Sequence, residues 1–371
     1  MIIGVLKESL PETRVSLTPE VVQALTKMGV TVWIAKGAGA AAYYPDDTYE
    51  AAGAKLMDTA AMAEADLLLT IHPQDVPAQL KQQAVIMGIY QPLFNAALMQ
   101  QWAQRGLTVF SLDTIPRTTR AQSMDVLSSQ ANIAGYKAVL LAAMQYSRYF
   151  PMFMTAAGSI PPAKVLILGA GVAGLQAIAT AKRLGAVVEV SDTRPAVKEE
   201  VMSLGAKLIE VEGAADASKA GGYAVEQSEE FKERQKARLA ESVKKSDIII
   251  STAQIPGKKA PILITREMIE SMRPGAVIVD LAASTGGNTD LTKNAEIIQH
   301  GGVTIIGNSA IPTMMPGDAS KVYAKNILNF LKLIIDKDGG LNLNFDDDIV
   351  KGTAIAHGGS IVNERVKELA G

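Results

Sequence analysis

The residues of this chain whose types and spacing could do chemistry lie between Lys164 and Arg194. Gly169, Gly171 and Gly174 form a G-x-G-x-x-G pattern directly after the apolar run Val165 to Leu168 and directly before a segment of helical spacing that stops at Gly185. That order predicts strand, tight turn and helix. Gly169 permits the turn, Gly171 lets a pyrophosphate approach the backbone, and Gly174 lets the helix pack closely on the strand, while the helix start at Val172, Ala173 and Gly174 offers free N–H groups to the anion. A second apolar run, Val187 to Val190, ends at Asp192, about twenty positions beyond the first glycine, where the motif needs an acceptor for both hydroxyls of an adenosine ribose. A carboxylate there repels a 2′-phosphate, so the expected cofactor is NAD(H) rather than NADP(H). Arg194, next to Thr193, reads as a solvated or pyrophosphate-side charge.

A second polar concentration runs from Pro116 to Asn132 and includes Arg117, Thr118, Thr119, Gln122, Asp125 and Ser128. Taken alone, it is most simply a helix cap with a salt-bridged surface turn.

Elements able to position these groups can be read from the apolar pattern. At 371 residues the chain exceeds the size of a single core, so two domains are expected. Before residue 113, the runs Ile2 to Leu6, Val30 to Ile34, Leu67 to Ile71, Val85 to Ile89 and Leu107 to Leu112 read as strands. They alternate with helical segments at Pro19 to Met28, Asp47 to Ala52, Ala60 to Ala65 and Leu93 to Gly106. Thr18 reads as an N-cap and Gly29 as the stop after that first helix. Such alternation argues for a parallel sheet. A continuous helix is expected from Ala121 to Arg148. Further strands fall at Asp247 to Ser251, Ala276 to Leu281 and Thr304 to Ile306, with helices at Thr265 to Met272 and Ala319 to Ile335. The polar insertion between Gly205 and Ser246 contains Gly221-Gly222-Tyr223, which reads as a joint that closes on a ligand. The residues after Asp336 are too few for a core of their own, so they are expected to return to the first domain. The fold class is therefore α/β: two Rossmann-like, doubly wound parallel-sheet domains joined by long helices, with the NAD cleft between them. The first would comprise 1–125 and 330–371, and the second 126–329.

Composition excludes several functions. A formal net charge of −2 leaves no basic footprint for nucleic acid. The absence of cysteine rules out thiol catalysis, thiolate metal sites and disulfides, and no metal site is expected. Met1 to Lys7 reads as a first strand with no leader before it, and no apolar run approaches the roughly 18 residues of a membrane span. The expected location is cytoplasmic, with any membrane association made through partners.

The segment Pro116 to Asn132, together with MTAAGSIPPAKVLILGAGVAGLQAIATAKRLGA and AGGYA, closely resembles the NAD(H)-binding alpha component of proton-translocating nicotinamide nucleotide transhydrogenases. The resemblance runs from RVSLTPE at Arg14 to AKN at Ala324, and the chain ends where the separate alpha subunit of the three-subunit form would end. It implies direct hydride transfer between NAD(H) on this chain and NADP(H) on a partner component. It also implies coupling to proton movement through a membrane-spanning component, a homodimer, and a location peripheral to the inner or cell membrane. Residue by residue it implies catalytic positioning by Arg117, Gln122 and Asp125, with Ser128 one turn on, and cofactor contacts at Val172, Ala173, Gly174, Asp192, Thr193, Arg194, Gly222, Tyr223 and Gln235. Gln254 stands where relatives often have Leu after Thr252-Ala253, so its contact is open. Hydride transfer requires no general acid or base, only two rings held face to face without water.

The alternative is an alanine dehydrogenase-like oxidoreductase, to which the chain is also similar. Arg14 matches that family's substrate arginine. Its lysine and histidine do not match: Thr70-Ile71-His72-Pro73 and Ile89-Tyr90-Gln91 stand in their places, and Ser284-Thr285-Gly286-Gly287 replaces the turn that carries its aspartate.

Overall fold

The computed structural model describes residues 1–210 and 229–370. Those residues form two units, one of Met1–Gln130 with Thr313–Gly371 and one of Ala131–Pro312. The chain opens with β1 (Ile2–Val5), α1 (Pro19–Lys27), β2 (Thr31–Ala35), α2 (Asp46–Ala51), β3 (Lys55–Met57), β4 (Leu67–Leu69), β5 (Val85–Gly88), α3 (Ala96–Gln104) and β6 (Thr108–Ser111). Helix α4 (Val126–Gln145) carries it into the second unit, followed by the hairpin β7 (Phe153–Thr155) and β8 (Gly158–Ile160). There follow β9 (Lys164–Leu168), α5 (Val172–Arg183), β10 (Val187–Ser191), α6 (Lys198–Ser203), β11 (Lys207–Leu208), α7 (Glu229–Lys245), β12 (Ile248–Ser251), α8 (Arg266–Glu270), β13 (Val277–Asp280), β14 (Glu296–His300) and β15 (Val303–Gly307). The return to the first unit is made by α9 (Pro316–Ile334), α10 (Asp348–Thr353), β16 (Ala354–His357), β17 (Ser360–Ile361) and α11 (Glu364–Ala370).

The first unit has an eight-stranded sheet in the order β17-β16-β6-β5-β4-β1-β2-β3, parallel from β6 to β3 and closed at the other edge by the antiparallel β16 and β17. Its connections run to opposite sides of the β1–β4 pair, which makes the carboxyl ends of those two strands the switch point of the sheet. Parallel strands are buried on both faces and read as unbroken apolar runs. Leu67–Leu69 and Val85–Met87 are fully buried. The whole of α9 counts with this unit, whereas a boundary at 329/330 was expected. Tyr323, Ala324, Ile327, Phe330, Leu331 and Ile334 all lie in its core, and Phe330 meets Phe110 edge-on at 5.4 Å.

The second unit has seven strands in the order β11-β10-β9-β12-β13-β15-β14, all parallel except β14. Its switch point lies between β9 and β12. Some expectations need correction. Thr18 occupies the cap position of α1 with extended backbone but its hydroxyl makes no cap bond, and Gly29 ends the helix at φ +80° as expected. The helix expected from Ala121 is interrupted. A 3₁₀ turn covers Thr119–Met124, and Asp125 is extended before α4 begins, because its carboxylate caps α4 by accepting from the Ser128 N–H (2.9 Å) and hydroxyl (2.6 Å).

Within the second unit α4 crosses the start of α5 at Gly135. A Cβ at that position would lie 2.0 Å from the Ala173 carbonyl oxygen, which is backbone and has no rotamer to move. Gly135→Ala is therefore expected to destabilise this unit by about 1–3 kcal/mol, the usual range for overpacking. Calorimetry should show a lowered thermal midpoint, and an unchanged midpoint would mean that the two helices can part without loss.

Candidate functional site

The turn from β9 to α5 is held from three sides. Gly169 adopts φ +93°, and Cβ atoms on Gly169 and Gly174 would lie 2.6 Å from the Thr252 hydroxyl and 1.8 Å from the Gly169 carbonyl oxygen, respectively. Both positions therefore exclude any side chain. The Thr252 hydroxyl, from the end of β12, is 3.0 Å from the Leu168 carbonyl and 3.1 Å from that of Gly169. From the end of β10, Asp192 Oδ2 accepts from the Ala170 N–H at 2.7 Å. By contrast, a Cβ built on Gly171 meets nothing within 4 Å among the described residues. The backbone at that point is open to a pyrophosphate, and the turn fits a dinucleotide.

Asp192 differs from its expected surroundings. Arg194 is not a solvated charge but wraps back onto it, with N–H and Nε donating to Oδ1 at 2.8 and 2.9 Å and a terminal NH2 donating to Oδ2 at 2.8 Å. Burial works to raise the Asp192 pKa, but the Arg194 side chain and the Ala170 N–H outweigh it and hold the carboxyl below its ordinary value. Its side chain is 5% exposed and that of Arg194 27%.

The first unit carries a second polar cluster at its own switch point. Glu12, almost fully buried, accepts from Arg14 Nε (2.8 Å), Arg14 NH2 (2.6 Å) and His72 Nε2 (2.8 Å), while Arg14 NH1 reaches Gln130 Oε1 at 2.8 Å. Burial raises the Glu12 pKa, and these donors more than reverse it, to about 2. Glu8 shows the opposite balance. Burial is the largest influence and the nearby Asp75 adds to it, so that despite the Ile71 N–H at 2.6 Å the carboxyl is pushed up to about 8. The hydroxyls of Tyr323 and Ser16 are buried there without a hydrogen-bond partner.

Two family models cover nearly all of the sequence. The N-terminal domain of alanine dehydrogenase/PNT matches residues 4–134, and the C-terminal domain of the same family matches 138–364. The chain belongs to the alanine dehydrogenase/PNT family. Within that family it is 46% identical to the first of the separate chains that make up NAD(P) transhydrogenase subunit alpha in Rhodospirillum rubrum, over 98% of each chain. It is 28% identical to alanine dehydrogenase 1 of Staphylococcus aureus, over 98% of this chain and 95% of that one. Among solved structures, a transhydrogenase from Sinorhizobium meliloti aligns over 97% of this chain and 100% of its own with a TM-score of 0.88 and 45% identity. An L-alanine dehydrogenase aligns over 100% and 99% with 0.80 and 25%.

For a member of this family, the expected site residues fall into three groups. Gly169, Gly171, Val172, Ala173, Gly174, Asp192, Thr193 and Arg194 come together around the turn of the second unit. Gln254, exposed after β12, donates from Nε2 to the Leu281 carbonyl at 3.1 Å, and Gln235 is half-buried on α7. Arg117, Thr118, Thr119 and Gln122 are exposed in the first unit on the approach to α4, with Asp125 and Ser128 paired as its cap. Arg120 anchors this approach by a forked pair to Asp347 at 2.7 and 2.8 Å and a further contact to Asp348. Gly222 and Tyr223, with the closing joint expected around them, lie outside the described residues. Sequence reading missed Thr252 as an anchor of the turn, although its place at the end of a strand next to the fingerprint strand was a usable signal. Among the described residues, no group of His, Asp and Glu could hold a metal ion, and no helix is long and apolar enough to cross a membrane.

The Glu8 carboxyl gives a pH test. An acid held at about 8 in the fold keeps a proton that the unfolded chain loses near 4.5, so its contribution lowers stability as pH rises from about 4.5 to about 8. Glu12, held near 2, acts in the opposite sense, and its stabilisation is lost only as pH falls below 4.5. Glu8→Gln keeps an acceptor for the Ile71 N–H and removes the ionisable proton. It is expected to flatten the decline and to exceed the parent at pH 8 by a stability of the order of a few kcal/mol. Urea unfolding of both proteins at pH 5 and pH 8 checks this.

Proposed function

We propose that this chain is the NAD(H)-binding component of a nicotinamide nucleotide transhydrogenase and that it exchanges hydride with NADP(H) carried on a partner component. The observation that carries the reading is the likeness to transhydrogenase alpha subunits at 43–46% identity along nearly the whole chain, against 28% for alanine dehydrogenase. The chemistry of the residues agrees with it. The fingerprint turn is open at Gly171, while the positions after β4 and β5 carry Ile71 and Gln91, neither of which can transfer a proton to a small substrate.

NAD(H), when bound, supplies the nicotinamide ring at which hydride is gained or lost. In this reading the Gly171 to Gly174 backbone holds the pyrophosphate and Asp192 takes the adenosine ribose. Arg117, Gln122 and Asp125, supported by Ser128, hold the nicotinamide end, with Thr118 and Thr119 beside them. Asp125 suits that task because the Ser128 hydroxyl and N–H fix both of its oxygens. Proton coupling belongs to a membrane-spanning partner, through which this chain is attached to the membrane.

The reading is tested by mixing the chain with an NADP(H)-binding component and following reduction of an NAD analogue by NADPH. Transfer is expected in the mixture and none from the chain alone. Alanine-dependent NADH formation by the chain alone, or no transfer in the mixture, would overturn the proposal. Gln122→Asn should slow transfer at least roughly tenfold while changing NADH affinity less, because misplacing one ring by about 1 Å costs far more in rate than in binding.

A homodimer is part of the same reading. The β7–β8 hairpin leaves Met152, Phe153 and Met154 exposed, with Tyr149 stacked on Phe153 at 4.8 Å, an apolar surface that a second copy would cover. Phe153→Glu is expected to shift the protein toward monomer in sedimentation at micromolar concentration, and a parent already monomeric there would count against the dimer.

A further inference from the structure

The carboxylate of Asp192 has no acceptor capacity to spare. Its Oδ1 takes the N–H and Nε of Arg194, and its Oδ2 takes the Ala170 N–H and a terminal NH2 of Arg194, which together use about the four lone-pair directions that a carboxylate offers. Two of the four donors are backbone groups fixed by the turn and by the end of β10. The other two belong to one guanidinium fork, the only donor pair of the four that can leave by side-chain rotation.

That arrangement bears on which nucleotide the site takes, and it rests on the NAD(H) reading above. A 2′-phosphate needs a cation, and planar guanidinium is well suited to hold one in bidentate fashion. Arg194 stands beside the acidic position where such a cation would act, but its fork is directed at Asp192. We propose that discrimination against 2′-phosphorylated nucleotide resides in the Asp192–Arg194 pair rather than in the aspartate alone. Asp192 engages the cation that would otherwise serve the phosphate, and Arg194 is the specificity-determining residue of a latent NADP(H) site. A ribose diol is accepted because its hydroxyls substitute for the departing guanidinium donors on the same two oxygens. A phosphate carries no donor to offer in exchange, and it adds negative charge against a carboxylate that is buried.

The two explanations separate in a double variant. In Asp192→Asn the side chain keeps an oxygen for the Ala170 N–H but loses the charge that holds the fork, so Arg194 is released. If charge repulsion by Asp192 were the whole basis of selection, removing Arg194 as well would leave the gain in NADPH binding intact. If the released guanidinium provides the binding, the gain disappears with it.

The test is a fluorescence titration of NADH and NADPH against the full chain, Asp192→Asn, and Asp192→Asn combined with Arg194→Gln. Asp192→Asn is expected to raise NADPH affinity by about tenfold or more, the scale of one charge-assisted fork, and to weaken NADH. The added Arg194→Gln should return NADPH affinity to near the parent value. A double variant that keeps the gain overturns the proposal, as does an Asp192→Asn protein of unchanged circular dichroism that shows no gain. If the asparagine variant does not fold, Asp192→Ser with and without Arg194→Gln repeats the comparison, since serine still offers an acceptor to the Ala170 N–H. A parent that binds NADPH as tightly as NADH removes the cofactor reading itself, and a parent that discriminates while the double variant keeps its gain removes only the role given to Arg194.

Discussion

The constraint on which the second unit depends is the lack of space between the first strand of the fingerprint and the helix that follows it. With a Cβ at Gly174 only 1.8 Å from the Gly169 carbonyl, α5 can start where it does only with glycine at that position. That close approach brings the first turn of α5 onto the ends of three neighbouring strands. Asp192 and Thr252 can then reach the turn's backbone from either side with hydrogen bonds of ordinary length. Sheet order, helix position and the chemistry of the turn are thus one geometric solution. The glycine at 171 is of another kind, since nothing in the protein crowds it and the space it leaves faces outward.

The first unit meets a related problem with charge. Its switch point is lined by Glu8, Glu12, Arg14 and His72, and burying such groups is unfavourable unless each finds a partner. Glu12 is surrounded by donors and stays ionised, whereas Glu8, next to Asp75, is better accommodated with its proton on. Two carboxyls of the same residue type, four positions apart, therefore sit at opposite ends of the titration range. What separates them is the number of donors that the backbone and Arg14 direct at each.

Much of this was legible in the sequence where burial is two-sided. The central strands of both sheets are uninterrupted apolar runs, and the fingerprint supplies its own register through three glycines and an aspartate. What could not be read was decided by partners distant in sequence or by exposed edges. Strand β3 reads Lys-Leu-Met and β14 is mostly exposed, so neither shows the pattern of a buried strand, and both exist because a sheet edge offers hydrogen bonds. Arg194 was expected in solvent because a guanidinium after a turn usually is. Its return onto Asp192 depends on a carboxylate already fixed by Ala170, which spacing alone does not reveal. Similarly, Asp125 looks like a residue within a helix until the Ser128 side chain, three positions on, turns it into the cap that starts one.

The antiparallel edge of the eight-stranded sheet bears on how the chain is made. β6 pairs with β16, and α9 fills the core beneath it, yet the segment holding both leaves the ribosome only after the whole second unit has been synthesised. Until then the first unit has an open strand edge at β6 and lacks Tyr323, Phe330 and Ile334 from its interior. Domains generally fold as units during synthesis. The later-starting unit can therefore be complete while the one that began first is still waiting, and the order of maturation along this polypeptide is the reverse of the order in which it is read.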